Sequence, residues 1–257
     1  GRQTADPGPL QDECSSGESA EFPVRLRNLG ELYPVPDFSL TYPLTNGRTI
    51  DATVPLHVVR SAFAHKLSPA PAIDAANDDW PETASISRFY SAYEGYEVEG
   101  KTAFSFGHDA DNLYVVAICD DPEAESIQAA VKKRDGPVYA DDCIGFFFHP
   151  DPDEMVVYQV YVNPQGTVFD QRITFDENMR YTVDASWDGE YEIACRMTDD
   201  GWRAEVKLPF SAFGVGSGEA GVWGLNFRRK QHRTQSQADW QVPIDYNPKT
   251  FGELTLE

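Results

Sequence analysis

The sequence predicts an all-β protein, a two-sheet antiparallel β-sandwich with a short β-rich N-terminal extension. Three observations predict it. The 257 residues include 15 Phe, 12 Tyr and 5 Trp beside 19 Gly and 18 Pro, the composition of many short strands joined by turns. Short apolar runs recur, such as NLYVVAIC at 112–119 and CIGFFFH at 143–149. Both are apolar on both faces, as a strand covered on two sides is. Helical signal is scarce.

Taken in order, residues 1–20 are polar and rich in Gly, Pro, Ser and acid, and are expected to be a flexible leader. Residues 21–66 form a small β-rich segment with runs at 22–29, 37–42 and 49–59, punctuated by Pro34, Pro36, Pro43 and Asn46-Gly47. The stretch at 68–74 (SPAPAID) reads as a linker, and residues 67–257 as the sandwich. Its strands include 112–119, 143–149 and 155–162. The last leads through Asn163-Pro164-Gln165-Gly166, type I turn chemistry, into 167–173. The clearest hairpin spans 190–209 about Asp200-Gly201. That register sets Ile193 opposite Leu208, Cys195 opposite Val206 and Met197 opposite Ala204 on an apolar face. Arg196 with Glu205 and Thr198 with Arg203 fall on the wet face. Residues 221–230 and 252–256 supply later strands. Residues 122–134 are the one helix candidate, with Pro at the start, acids early and bases late. Residues 210–213 suit a single helical turn.

Composition narrows the function. Asp plus Glu number 42 and Lys plus Arg 21, a net charge of −21. Such a surface repels phosphate backbones and anionic lipid, so neither nucleic acid nor membrane is an expected partner. No apolar stretch approaches the roughly 18 residues of a membrane helix. The cysteines form no CxxC pair, which argues against structural zinc. Cys119, Cys143 and Cys195 fall in strands as buried thiols, and Cys14 falls in the leader. There is no GxSxG elbow, HExxH or P-loop. The acid pairs Asp120-Asp121 and Asp141-Asp142 are adjacent. Neighbours on an extended chain point to opposite faces, so they do not form the facing carboxylates of a glycosidase. The chain is therefore not expected to be an enzyme. Asp109, Asp111 and Asn112 in the turn GHDADN offer oxygens for Ca²⁺, although an Asx turn capping its own backbone is the favoured reading. The opening Gly1 fits a removed leader, and hence a secreted, periplasmic or cell-surface protein. Tyr139, just before Asp141-Asp142, and Tyr246, in the loop before the final strand, are rigid rings suited to stacking on sugar faces, and Trp240 is a third.

Six motifs occur in a fixed order: PAIDAANDDW at 71–80, DADNLYVVAICDDP at 109–122, YADDCIGFFFHP at 139–150, GWRAEVKLPFSAF at 201–213, VWGLNFRR at 222–229 and WQVPIDYNPKTFGELTL at 240–256. With them, residues from about 71 to 257 resemble the family 9 carbohydrate-binding modules, domains found attached to xylanases. The resemblance implies a β-sandwich that grips a sugar between two aromatic rings, often with structural Ca²⁺, and a poly- or oligosaccharide as partner. It places the ring positions on Tyr139 and Tyr246, and the polar positions on Gly145, Tyr161 and Arg228. Gly145 has no side chain, so the resemblance leaves either an altered ligand or none. Asp142 and Trp240 are further candidate ligand contacts. Two other readings stay open: a structural sandwich without a small ligand, and a haem-binding sandwich drawing on Met155, Met179 or Met197 with His149 or His232.

Overall fold

The computed structural model describes residues 37–44, 46–55, 59–76, 78–81, 85–98, 102–217, 221–242 and 246–257. The chain divides into two compact units, residues 1–58 and 59–257. In the first, β1 (Asp37–Pro43) and β2 (Thr49–Pro55) form an antiparallel hairpin that sets Leu40 across from Ala52 and Tyr42 across from Ile50. Gly47 turns it with φ of +78°. The leader at 1–20 and the expected strand at 22–29 lie outside the described residues.

The second unit contains thirteen described strands. In chain order they are β3 (Ser61–Lys66), β4 (Tyr90–Ser91), β5 (Thr102–His108), β6 (Asn112–Asp120), β7 (Cys143–His149), β8 (Val156–Val162), β9 (Val168–Phe175), β10 (Tyr181–Asp184), β11 (Glu192–Thr198), β12 (Gly201–Pro209), β13 (Val222–Gln231), β14 (Ser236–Asp239) and β15 (Gly252–Leu256). Hydrogen bonding runs β10-β9-β8-β7-β13-β15-β3-β5-β6-β12-β11, with β14 beside β13 and β4 beside β14. The path curls over itself into a β-sandwich. Phe104 and Phe106 of β5 stack on Phe227 of β13 with centroids 4.7 and 5.0 Å apart, and Phe146 of β7 meets Phe227 edge-on.

The pairing is antiparallel except at β3, which runs parallel to both β15 and β5 and so ties the two sheets together. Parallel neighbours need a long crossover, and residues 67–101 provide one. The unit that holds the sandwich therefore begins at Val59, ahead of the division expected at 66 and 67. Residues 68–74 are tied down at their C-terminal end: the amides of Asp74 and Ala75 both donate to Glu205 Oε2 at 2.8 Å, and Glu205 is buried on β12.

Two local expectations are corrected. The β11–β12 hairpin pairs Ile193 with Val206, Cys195 with Ala204 and Thr198 with Gly201, so Asp199-Asp200 form the loop. The register slips by two and each residue keeps its face. Gly201 serves close approach, because it pairs with Asp120 at φ of +145°, where a Cβ would lie 2.1 Å from the Cys119 carbonyl oxygen. The helix expected at 122–134 is absent apart from a 3-10 turn at Ala124–Ser126. Across this stretch backbone groups bond to distant partners instead of to residues one turn away. Gln128 N–H donates to Asp142 Oδ2 (2.8 Å), Val131 N–H to Asp141 Oδ2 (2.9 Å) and Asp135 N–H to the Val168 carbonyl (3.0 Å). The turn at 163–166 and the helical turn at Phe210–Phe213 form as expected.

Two faces of one strand position the site. On β7, Ile144, Phe146 and Phe148 point into the central core, while Cys143 and Phe147 belong to a second cluster on the opposite face. That second cluster also takes Val157 and Tyr161 of β8, Ile173 and Phe175 of β9, and Phe251. Apolar residues on both faces of β7 thus have a physical cause, since both faces are covered.

Candidate functional site

Antiparallel partners share a face, so the register alone assembles the outer surface of this sheet. One row across the strands reads Arg228, Gly145, Tyr161, Phe169, and the next reads Asn226, Phe147, Gln159, Gln171. The three polar positions that the resemblance implies, Gly145, Tyr161 and Arg228, therefore lie side by side. A Cβ on Gly145 would meet Tyr161 Cε1 at 2.5 Å, so the tyrosine ring fills the space that a side chain at 145 would take. Tyr161 is 4% exposed and accepts a hydrogen bond from Arg228 Nη1 at 3.3 Å. Burial pushes its phenol pKa upward.

Arg228 forks onto Asp239, with Nε to Oδ1 at 2.7 Å and Nη2 to Oδ2 at 3.0 Å. Its guanidinium lies 5.3 Å from the Phe147 ring centroid. Burial pulls the guanidinium's pKa down, but Asp239 and Tyr161 more than reverse this, while burial lifts the carboxyl of Asp239. Such a fork is geometrically specific, and removing one partner would leave the other buried and uncompensated.

Tyr139 and Tyr246 flank this floor from opposite ends of a chain of ring contacts. Tyr139, 43% exposed, stands edge-on to Phe169 (5.3 Å) and Tyr161 (6.3 Å). Tyr161 stands edge-on to Phe147 (6.1 Å), and Phe147 meets Tyr246 at 6.5 Å. Tyr181 of β10, half exposed, abuts Tyr246 at 5.5 Å. The structure thus brings Tyr139, Tyr161, Tyr246 and Arg228 together. Phe147, Phe169, Tyr181 and Asp239 join them without having been singled out. Tyr161 facing Phe169 could have been derived by counting back from the 163–166 turn. Asp239 carries no sequence signal, because the β13–β14 hairpin that aims it is short and polar.

The remaining two candidates lie elsewhere. Trp240 is 1% exposed and belongs to the central core, against Phe227, with the Arg60 guanidinium 5.0 Å from its ring centroid. Asp142 is 3% exposed. Besides Gln128, its carboxylate takes the backbone N–H of His232, and His232 Nδ1 lies 2.7 Å from the Ala140 carbonyl. Asp141 bonds Val131 N–H and Asn163 Nδ2, both at 2.9 Å. The acid pair therefore latches the loop that carries Tyr139 instead of lining the surface.

At both acidic candidates carboxylate oxygens already hold partners within the chain. At the 109–112 turn both oxygens of Asp109 face donors, namely the amides of Asp111 and Asn112, Asn112 Nδ2 and the Tyr114 hydroxyl at 2.6 Å. This is an Asx turn. Elsewhere Asp135, Asp170 and Asp188 bring carboxylate oxygens within 4.8 Å of one another. There Arg134 bonds Asp170 (2.9 Å) and Asp188 (2.7 Å), so a guanidinium already supplies the countercharge. This cluster borders a cavity of about 600 Å³ whose lining includes Arg134, Asp188, Tyr191 and Lys207.

A curled sandwich with an aromatic outer face and, among the described residues, no long helix defines the β-sandwich class. Among the described residues no helix is long and apolar enough to cross a membrane. Residues 73–257 match the carbohydrate family 9 binding domain-like family, and the chain belongs to that family. Among curated proteins none matches. Among solved structures the chain is similar to a Bacteroides uniformis protein assigned a carbohydrate-binding role, with TM-score 0.63 and 18% identity over 78% of this chain and all of that one. It is also similar to a family 9 module from Caldicellulosiruptor kristjanssonii in complex with glucose, with TM-score 0.52 and 18% identity over 77% of this chain and 96% of that one. A family 9 module from the same organism in complex with cellotriose gives TM-score 0.52 and 19% identity, over 77% of this chain and 94% of that one.

Proposed function

We propose that this protein is a non-catalytic module that binds a neutral poly- or oligosaccharide on the outer face of β7, β8 and β9, stacking sugar rings on Tyr139 and Tyr246. The observation that carries this reading is the placement of two solvent-reaching tyrosines on either side of the Phe147–Tyr161 floor. Rings held by other rings lose little entropy on binding, and the C–H face of a pyranose is a natural partner for them. Family membership and neighbours crystallised with glucose and cellotriose support the ligand class. In keeping with that ligand, the protein is read as exported and as working beside a glycoside hydrolase. Structural Ca²⁺ is left outside the proposal, because Asp109, Asp170 and Asp188 already hold partners within the chain.

The test is a calorimetric or NMR titration with cellotriose, repeated on Tyr246→Ala. Binding to the unaltered chain is expected with a Kd between about 1 μM and 1 mM, the range of shallow sites. The variant is expected to lose binding while its melting temperature falls by only about 2–4 °C. Undiminished affinity in the variant would overturn the tyrosine clamp. A folded protein that binds no polysaccharide would point to the structural-module reading.

A further inference from the structure

One row of the outer face carries three side-chain amides, in the order Asn226, Phe147, Gln159, Gln171. Tyr139 stands on the neighbouring Tyr161–Phe169 row, and Tyr246 rests on Phe147 in this one. The glutamines therefore lie in the floor that the two tyrosines flank. Asn226 is tied to the backbone. It donates to the Gln241 carbonyl at 2.8 Å and accepts from the amides of Gln241 and Phe227 at 2.9 and 2.8 Å. The glutamines are held differently. Gln171 Nε2 donates to Gln159 Oε1, which fixes the two amides against each other. Left over are the Nε2 hydrogens of Gln159 and the Oε1 of Gln171. Among the described residues neither atom has a hydrogen-bond partner, and neither is sealed from solvent. Yet Gln159 is only 2% exposed and Gln171 only 8%. Polar groups this deep ordinarily have their hydrogen bonds made, so the unused donor and acceptor call for an occupant. Reversing both amides would exchange their roles and leave the same set, one NH₂ and one carbonyl oxygen.

We propose, on the basis of the carbohydrate reading above, that Gln159 and Gln171 form the hydrogen-bonding subsite of this face and read two adjacent equatorial hydroxyls of the sugar. One hydroxyl oxygen accepts from the amide N–H, and its neighbour donates to the amide oxygen. A pyranose seated between the tyrosines turns its edge to the floor, and equatorial hydroxyls lie close to the plane of that edge. The tyrosines hold the ring by its faces and the glutamines select it by its edge. A few fixed polar groups within an apolar lining are the usual source of orientation and specificity in a small-ligand site. Neither glutamine is among the positions that the family resemblance implies.

The experiment is a pair of NMR titrations of the full chain, with methyl β-D-glucoside and with methyl 3-deoxy-β-D-glucoside, in which no two adjacent ring hydroxyls remain. The deoxy sugar is expected to bind about tenfold more weakly, because it leaves a nearly buried amide group unpaired. The double variant Gln159→Leu/Gln171→Leu replaces both partners with apolar groups, a change that is close to neutral for stability. It is expected to bind cellotriose about tenfold more weakly and to hold the two glucosides equally, so that the preference is lost with the pair. Equal binding of the two glucosides by the unaltered chain would overturn the inference and leave the carbohydrate reading standing, whether or not the variant folds. Undiminished cellotriose affinity in a folded variant would do the same. Failure of the folded, unaltered chain to bind any of these sugars would overturn both.

Discussion

Gly145 and Tyr161 behave as a single group shared between two strands. Gly145→Ala forces a methyl against the Tyr161 ring, at a cost of about 1–3 kcal/mol for overpacking. In the Tyr161→Ala background that clash is gone, so urea denaturation of the two single variants and the double variant should show the costs to be non-additive. Additive costs would mean that the ring does not occupy the glycine's space in solution. Asp142 illustrates a residue whose chemistry was legible and whose role was not. The sequence marks an acid beside an exposed ring, but only the folded loop reveals that its oxygens serve Gln128 and His232. Asp142→Ala is expected to cost about 1–3 kcal/mol, through amides left without an acceptor, and to weaken sugar binding by loosening the loop of Tyr139. Full binding with normal stability in that variant would show that the latch is dispensable.

At the scale of elements, what the sequence revealed depended on strand length and on burial. β7 and β15 are bounded where their apolar runs begin and end, since both faces or one clean face are buried. β4, β10 and β14 have two to four residues, too short for a period to show. The misread helix at 122–134 had suitable charges at its ends, but Ile127 and Val131 pack against two different clusters, and tertiary hydrogen bonds outcompeted propensity. The outer face of the site was legible as far as strand pairing could be counted from a turn. The Arg228–Asp239 fork was not, because nothing local aims one at the other. β3 gives the sharpest test at this scale. A chain comprising residues 59–257 is expected to fold and keep sugar binding, whereas 67–257 lacks the strand between β15 and β5 and is expected not to unfold cooperatively. A sharp, native-like melt for the shorter chain would show that the two sheets hold without it.

The whole molecule carries a net charge of −21, and four of its carboxylates are shifted in two opposite directions. Burial lifts Asp142 and Asp170 above the ordinary value of 3.8, against hydrogen bonds from Gln128 and Gly189 that pull down. The folded chain then holds these protons more tightly than the unfolded chain, so the two groups favour folding more as pH falls through the range just above 3.8. Asp109 and Asp121 run the other way. Burial pushes both up, but hydrogen bonds from Tyr114, Asp111 and Asn112 around the first, and from Glu123, Gln231 and Arg233 around the second, hold both below 3.8. Their stabilisation is complete above 3.8 and is lost as pH falls through their folded values. Self-repulsion also relaxes as acids are protonated. Thermal melts should therefore hold steady or rise from pH 7 to about pH 5 and fall steeply below 3.8, and a steady decline from neutrality downward would contradict this assignment. The parallel strand has a consequence in time as well as in space. A ribosome makes β3 early, and one of its edges finds β5 about forty residues later, but the other waits for Gly252–Leu256. Until that stretch emerges, the nascent sandwich presents an open strand edge that any passing chain could extend. Closure therefore waits for the last strand of the sandwich, and β15 is the clasp that ends the exposure.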